Sequence, residues 1–178
     1  MEVSQMGTSK EQDLFLSVVI PAYNEESRIE KSLVPTIAYL SQVSYSSEII
    51  VVSDGSGDRT VAVAKKYRNQ FARLRVLEYH PNAGKGKAVR TGILASKGQY
   101  ILFMDADYAV PIQYLAQFLQ TFDEGFDFVI ASRALKASRI LVGQGALRQM
   151  AGKIHGVIQR TVLGLRVRDT QCGFKLYR

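Results

Sequence analysis

The chain has 178 residues, 47% of them hydrophobic, and carries 23 Lys and Arg against 16 Asp and Glu for a formal net charge of +7. That length and apolar content suit one globular domain or a large piece of one, and the lone Cys172 excludes a disulfide framework and a cysteine metal site, pointing to a reducing, cytosolic setting. The positive balance implies anionic partners; no stretch approaches the ~20 apolar residues that span a bilayer, so the chain is expected to be soluble or surface-bound.

Residues 1–13 are polar and aperiodic and read as a flexible N-terminal tail. Leu16 to Ile20 is a short β-branched strand, which Pro21 is expected to stop because proline donates nothing to a ladder. The loop Pro21-Ala22-Tyr23-Asn24-Glu25-Glu26 leads into a helix whose apolar face is Ile29, Leu33, Ile37 and Leu40. Pro35 is expected to kink that helix or to begin its second half. A second buried strand, Glu48 to Val52, runs into Ser53-Asp54-Gly55-Ser56-Gly57-Asp58 and then a helix carrying Val61, Ala64 and Phe71. Leu74 to Tyr79 is a third strand, and Pro81 to Lys87 a glycine-rich basic loop entering a helix with Val89, Ile93 and Leu94. Tyr100 to Met104 is a strand that ends in Asp105-Ala106-Asp107. Pro111 opens a helix with Leu115, Phe118, Leu119 and Phe122, and Phe126 to Ala131 is a further strand ending at Ser132-Arg133. This alternation predicts an α/β fold, a mostly parallel sheet with helices on both faces. In such a sheet the ligand cleft lies outside the carboxyl ends of the strands, where these loops converge.

The chemistry is sought in those loops. Asp105 and Asp107 are two carboxylates at a strand end, and such a pair repels itself unless a cation or a strong donor lies between. They point either to a hard divalent metal carrying phosphate oxygens or to a strand-end turn in which each Asp caps local amides. Asp54 is placed to accept hydrogen bonds from a base or ribose, or to brace its own Asp-Gly-Ser turn. Gly84-Lys85-Gly86-Lys87 resembles a phosphate cradle, but a P-loop would need Gly at Pro81 and Ser or Thr at Ala88, which disfavours a Walker-type ATPase. Lys85 then either reaches a diphosphate or is a solvated loop lysine, and Arg133 either holds phosphate in a fork or forms a surface ion pair. His80 and His155 have no partner at metal-ligand spacing, and nothing sets a base beside Cys172 or a serine, so nucleophilic catalysis is not indicated.

Residues 138–168 change character. Apolar residues there are interleaved with Arg139, Arg148, Lys153, Arg160, Arg166 and Arg168, and no Asp or Glu lies between Asp127 and Asp169. This basic amphipathic segment suits an anionic membrane surface, with core helices bearing solvated arginines as the plainer alternative. No nucleic-acid motif is present, and the segment lacks the interleaved aromatics of a single-strand platform.

Val18-Val19-Ile20-Pro21-Ala22-Tyr23-Asn24-Glu25, Asp54-Gly55-Ser56 and Asp105-Ala106-Asp107 together resemble the motifs of the inverting nucleotide-sugar glycosyltransferases of family 2, which have the GT-A fold. The likeness runs from Leu16 to the end of the chain. Asn82 to Arg90 and Asp169-Thr170-Gln171-Cys172-Gly173-Phe174-Lys175 look most like the branch that glucosylates dolichyl phosphate, with mannosyltransferases as close relatives. The resemblance implies that Pro21, Ala22, Tyr23, Glu25 and Asp54 contact base and ribose with Asp105 beside them, and Lys85, from the reading of its own loop, is the further candidate for the nucleotide site. The resemblance further implies that Asp105 and Asp107 hold the diphosphate through Mg²⁺ or Mn²⁺, that Arg133 faces phosphate, and that Asp169 with its following loop closes over sugar or acceptor. Two positions depart from the pattern: Ser53 stands where the family usually has a first Asp, and Ala109 where mannosyltransferase relatives supply a Gln ligand.

The implied reaction moves a hexose, glucose foremost, from UDP-glucose or GDP-mannose to a polyprenyl phosphate with inversion. The protein would work as a peripheral protein on the cytoplasmic side of a membrane. A phosphate acceptor with a second pKa of ~6 is already an anionic nucleophile and needs no strong base. A family 2 transferase with a polysaccharide or other acceptor, or an inactive nucleotide-sugar-binding module, are the alternatives. Relatives continue past the position of Arg178, so residues 14–178 are expected to form a GT-A domain truncated at its C-terminal end.

Overall fold

The computed structural model describes residues 14–132 and 171–178; Arg133, Asp169 and the basic segment 138–168 lie outside the described residues. Strands β1 (Leu16–Ala22) and β2 (Ser47–Asp54) are buried at every position. That is why their centres, Val18–Ile20 and Ile49–Val52, are apolar at consecutive positions: they are central strands of a parallel sheet covered on both faces. With β3 (Leu74–Tyr79), β4 (Tyr100–Met104), β5 (Phe128–Ile130) and β6 (Phe174–Tyr177) they form a six-stranded sheet of order β3-β2-β1-β4-β6-β5. β1 runs parallel to β2 and β4, and β2 to β3, whereas β6 is antiparallel to both β4 and β5. The order reverses between β1 and β4, and this topological switch point is where a doubly wound sheet opens a ligand crevice.

Helices cover both faces, as the alternation of elements predicts. α1 (Ile29–Leu40), α2 (Thr60–Lys66) and α4 (Leu115–Asp123) bring Ile29, Leu33, Ile37, Leu40, Ala64, Leu115 and Phe122 into one core with Val18, Ile20, Ile49, Val51, Leu102, Met104 and Phe174. Each Leu, Ile, Val or Phe so buried contributes about 1.5–3 kcal/mol. α3 (Lys85–Ala95) lies on the other face, with Ala88 packed against Ile50 and Val52. Gly92 sets how closely α3 approaches, since a methyl group there would stand 2.3 Å from Val19 Cγ1.

A buried polar cluster fixes the far end of the sheet. Glu48 Oε1 accepts bonds from the Ser17 hydroxyl (2.7 Å) and the Lys97 amide (2.9 Å). Arg75 bridges Glu48 Oε2 and the Ala95 carbonyl, each at 3.0 Å. The cluster pins the α3–β4 connection and, through it, the register of the strand that delivers Asp105.

Several boundaries differ from the sequence reading. β1 does not stop at Pro21 but continues through Ala22, because beyond Val19 it has only β2 beside it and an open edge tolerates the missing donor. α1 runs through Pro35 without a break in its helical span. α2 ends at Lys66 and gives way to a short 3₁₀ turn, Tyr67–Asn69, so Phe71 packs on the core from beyond the helix. On α3 the buried positions are Ala88 and Gly92, while Leu94 is 68% exposed. The last expected strand is only Phe128–Ile130, and Phe126 is exposed. Phe174–Tyr177, to which the sequence reading assigned no element, is strand β6.

Candidate active site

Three strand-end loops and the start of α3 enclose a cleft of about 410 Å³ at the switch point. Pro21, Ala22, Tyr23 and Glu25 line it from β1, Asp54 from β2, Lys85 from α3, and Asp105 and Asp107 from β4. The structure therefore gathers in one cleft every site residue expected from the sequence that lies among the described residues. Arg28, Asn82, Gly84, Ala88 and Ala106 complete the lining.

The first wall is built by two loops that lock each other. The Thr60 hydroxyl accepts the Glu25 amide at 2.7 Å and is itself bonded to Asp58. Asp58 also takes the Glu26 amide (3.1 Å) and the Thr60 amide (2.9 Å). Burial would raise the Asp58 carboxyl, but the Thr60 hydroxyl and the amides of Thr60 and Glu26 outweigh it and hold it below the usual carboxylate range. Asn24, in the left-handed region at φ 53°, accepts the Gly57 amide at 2.9 Å, and the Glu26 carboxylate accepts the Arg59 amide at 2.8 Å. On this platform Tyr23 is half exposed and Glu25 faces the Arg28 guanidinium at 2.9 and 2.7 Å. The Glu25–Arg28 spacing of three residues at a helix start was the available signal for Arg28, which the sequence reading missed.

The second wall hangs on Asp54. Its Oδ1 accepts bonds from the Tyr79 hydroxyl (2.7 Å) and the Ala83 amide (2.9 Å), and its Oδ2 from the Asn82 side-chain amide (3.0 Å). The carboxylate thus braces the chain after β3, a role different from the Asp-Gly-Ser turn considered from sequence. Burial pushes the Asp54 carboxyl up, yet the Ala83 amide, the Tyr79 hydroxyl and the Gly84 amide more than offset this and lower it. The same burial and the bond to Asp54 push the Tyr79 hydroxyl up to about 12. Gly55, at φ 69°, lets the two loops touch, since a methyl group there would stand 2.6 Å from the Asn82 nitrogen.

The acidic floor holds Asp105 and Asp107 in different states. Asp107 Oδ1 accepts the Ala109 amide at 3.0 Å, the capped turn that was one of the two sequence readings. Asp105 instead faces Lys85, with Nζ 2.6 Å from Oδ1. Among the described residues no group of three or more His, Cys, Asp or Glu could hold a metal. Two carboxylates fit a Mg²⁺-type ion all the same, because such ions are bound through one or two carboxylates plus substrate phosphates and water. Asp105 already binds a cationic group, the Lys85 ammonium.

A family model described as Glycosyl transferase family 2 matches residues 17–178. The chain belongs to glycosyl transferase family 2. Among curated relatives, the dolichyl-phosphate β-glucosyltransferase of Drosophila melanogaster is 39% identical over 92% of the chain and 54% of its own length. The dolichyl-phosphate β-glucosyltransferase ALG5D of Trichomonas vaginalis is 35% identical over 92% and 53%, and the human dolichyl-phosphate β-glucosyltransferase 33% over 91% and 54%. The family 2 chain thus spans about half the length of the curated relatives it matches. Among solved structures, M. tuberculosis glucosyl-3-phosphoglycerate synthase superposes with a TM-score of 0.62 at 24% identity, over 92% of this chain and 57% of that one. S. aureus TarS 1-349 in complex with UDP gives 0.58 at 29% identity, over 74% and 38%. The family 2 fold is the GT-A fold expected from the sequence.

Proposed function

We propose that the chain carries the donor site of a glucosyltransferase that moves glucose from UDP-glucose to a polyprenyl phosphate of the dolichyl type, with inversion. The observation that carries this reading is the shared name of relatives 33–39% identical over nine tenths of the chain, dolichyl-phosphate β-glucosyltransferase. UDP is favoured over GDP because a solved relative at 29% identity is a UDP complex.

In this reading Pro21, Ala22, Tyr23, Glu25 and Asp54 take base and ribose, with Tyr23 as the aromatic surface and the interlocked loops as its rigid support. Lys85 neutralises the diphosphate. Asp105 and Asp107 would hold Mg²⁺ or Mn²⁺, which when bound supplies positive charge to the departing diphosphate. Arg133 and Asp169 are assigned to the phosphate and to closure over sugar or acceptor. The acceptor phosphate attacks the anomeric carbon as an anion: a new C–O bond forms, the bond to the diphosphate breaks, and UDP leaves with the electron pair. No proton has to be removed from the nucleophile, so no carboxylate is asked to act as a strong base. Alignment in the cleft is then the main contribution of the protein.

No helix among the described residues is long and apolar enough to cross a membrane. A peripheral seat on the cytoplasmic side, made through the basic segment 138–168, is part of the proposal and brings the cleft to an acceptor whose chain lies in lipid. The test is thermal stabilisation by UDP, GDP and their sugars with and without Mn²⁺, followed by transfer from radiolabelled UDP-glucose to dolichyl phosphate in vesicles. Metal-dependent stabilisation by UDP is expected; a fold that no nucleotide stabilises sinks the reading.

A further inference from the structure

Lys85 and Asp105 approach each other from different parts of the fold. Lys85 is the first residue of α3, Asp105 follows β4, and their charged atoms are 2.6 Å apart. The two partners differ in freedom. The Asp105 amide donates to the Gly173 carbonyl at 2.9 Å, and its carboxylate lies where any Gly173 side chain would stand. It is held from below. Lys85 has 58% of its side chain exposed, with Nζ 5.4 Å from the Phe103 ring centroid, and a flexible four-carbon stem. It can swing.

Asp105 is also a carboxylate that the divalent cation of the proposed donor site requires. Oδ1, within 2.6 Å of an ammonium, cannot also take a dication at about 2.0–2.1 Å without setting two positive centres side by side, and Oδ2 is the oxygen turned against Gly173. A cation at Oδ1 requires the ammonium to leave first.

We propose that Lys85 is an exchangeable counter-ion of Asp105: in the nucleotide-free protein its ammonium blocks the carboxylate against a divalent cation, and a nucleoside diphosphate draws it away and releases Asp105. The inference rests on the donor-site reading above. It makes cation binding depend on nucleotide, and by linkage it makes nucleotide binding depend on cation to the same extent. No covalent step is involved, only a change of partner for one ammonium group.

The experiment is Mn²⁺ titration of the purified chain, followed by the electron paramagnetic resonance signal of free Mn²⁺, with and without UDP. Lys85→Met is compared with Lys87→Met, which removes the same charge from an exposed position on the same helix that does not line the cleft. Lys85→Met should tighten nucleotide-free Mn²⁺ binding roughly tenfold, within the 5- to 150-fold range typical of such coupling, and should shrink the further gain from UDP. Lys87→Met should change it less than about twofold, the size of a screened surface charge effect. Lys85→Arg should bind Mn²⁺ as the parent does. In an Asp105→Asn background Lys85→Met should have no effect. The proposal is overturned if Lys85→Met leaves nucleotide-free Mn²⁺ affinity unchanged, or shifts it no more than Lys87→Met. Failure of the parent to bind UDP would sink the donor-site reading, while the nucleotide-free comparison would still decide the exchange.

Discussion

Gly173 supports the carboxylate of Asp105: a methyl group on Gly173 would stand 1.8 Å from Oδ2 and 2.1 Å from Cγ, and the Asp105 amide donates to the Gly173 carbonyl at 2.9 Å. The contact ties the end of β4 to the start of β6, residues 68 positions apart (173 − 105). It gives the glycine of Gln171-Cys172-Gly173-Phe174 a physical reason, close approach to an acidic side chain, and places that motif beside the cleft floor.

Gly173→Ala should therefore displace Asp105 or push β6 away from β4. Overpacking of this kind costs about 1–3 kcal/mol. Denaturant unfolding should show that loss. The proposed glucosyl transfer should fall at least about tenfold, since a displacement of about 1 Å in the group assigned to the metal costs far more than the stability change suggests. Unchanged transfer kinetics would mean that Asp105 tolerates movement and does not act where it now sits.

How much of this was legible follows from the range of each interaction. β1, β2 and β4 each have an apolar centre, and Pro21, Asp54 and Asp105 stand at or just past their carboxyl ends, so the sheet and the place of the cleft could be read from the sequence. β6 could not: Phe174-Lys175-Leu176-Tyr177 is short, and its place between β4 and β5 is set by antiparallel pairing to residues more than 40 positions away. The partners of Asp54 are 25 to 29 residues distant, so its bracing of Tyr79, Asn82 and Ala83 had no local signature. The Lys85–Asp105 pair joins two loops that the sequence treats separately. On α3 the apolar period suggested Leu94, but the close approach of the helix selects the small residues Ala88 and Gly92 for the buried face.

Gly55→Ala should be more damaging than Gly173→Ala. It carries a φ of 69°, costly for a side chain, and the methyl group would meet the Asn82 backbone nitrogen at 2.6 Å, which cannot rotate aside. Left-handed strain and overpacking together suggest a loss on the order of 2–4 kcal/mol. A thermal midpoint lowered by about 5–15 °C is the expected readout. A change under 2 °C would show that the two loops are not locked in solution.

Acid should weaken the same wall. Asp54 and Asp58 both have folded-state carboxyls lowered from the ordinary value of 3.8, in each case against an opposing burial contribution. A lowered folded value contributes stability above the unfolded pKa, and that contribution is lost as pH falls through the folded one. Unfolding free energy should then be flat in this contribution from neutrality to about pH 4 and decline below it. Asp54→Asn should flatten part of the decline and lower neutral stability by about 1–3 kcal/mol, because an amide cannot accept all three bonds. Urea unfolding at a series of pH values reads both effects.

Thr60→Val tests whether the interlock of the first two loops supports nucleotide binding rather than only the fold. The substitution keeps the side-chain volume close but removes the hydroxyl that accepts the Glu25 amide at 2.7 Å and bonds Asp58. The Glu25 amide and Asp58 each lose a partner, at about 1–3 kcal/mol for a group left unsatisfied. The loss should be local. Hydrogen exchange should accelerate at Glu25 and Glu26 while the amides of β1 and β2 keep their protection. UDP affinity should fall about tenfold, because Pro21, Ala22 and Tyr23 would present to the base from a loop that must be ordered on binding. Weakened UDP binding with unchanged exchange at Glu25 would put the defect in direct ligand contact instead, and the support role assigned to Thr60 would be wrong.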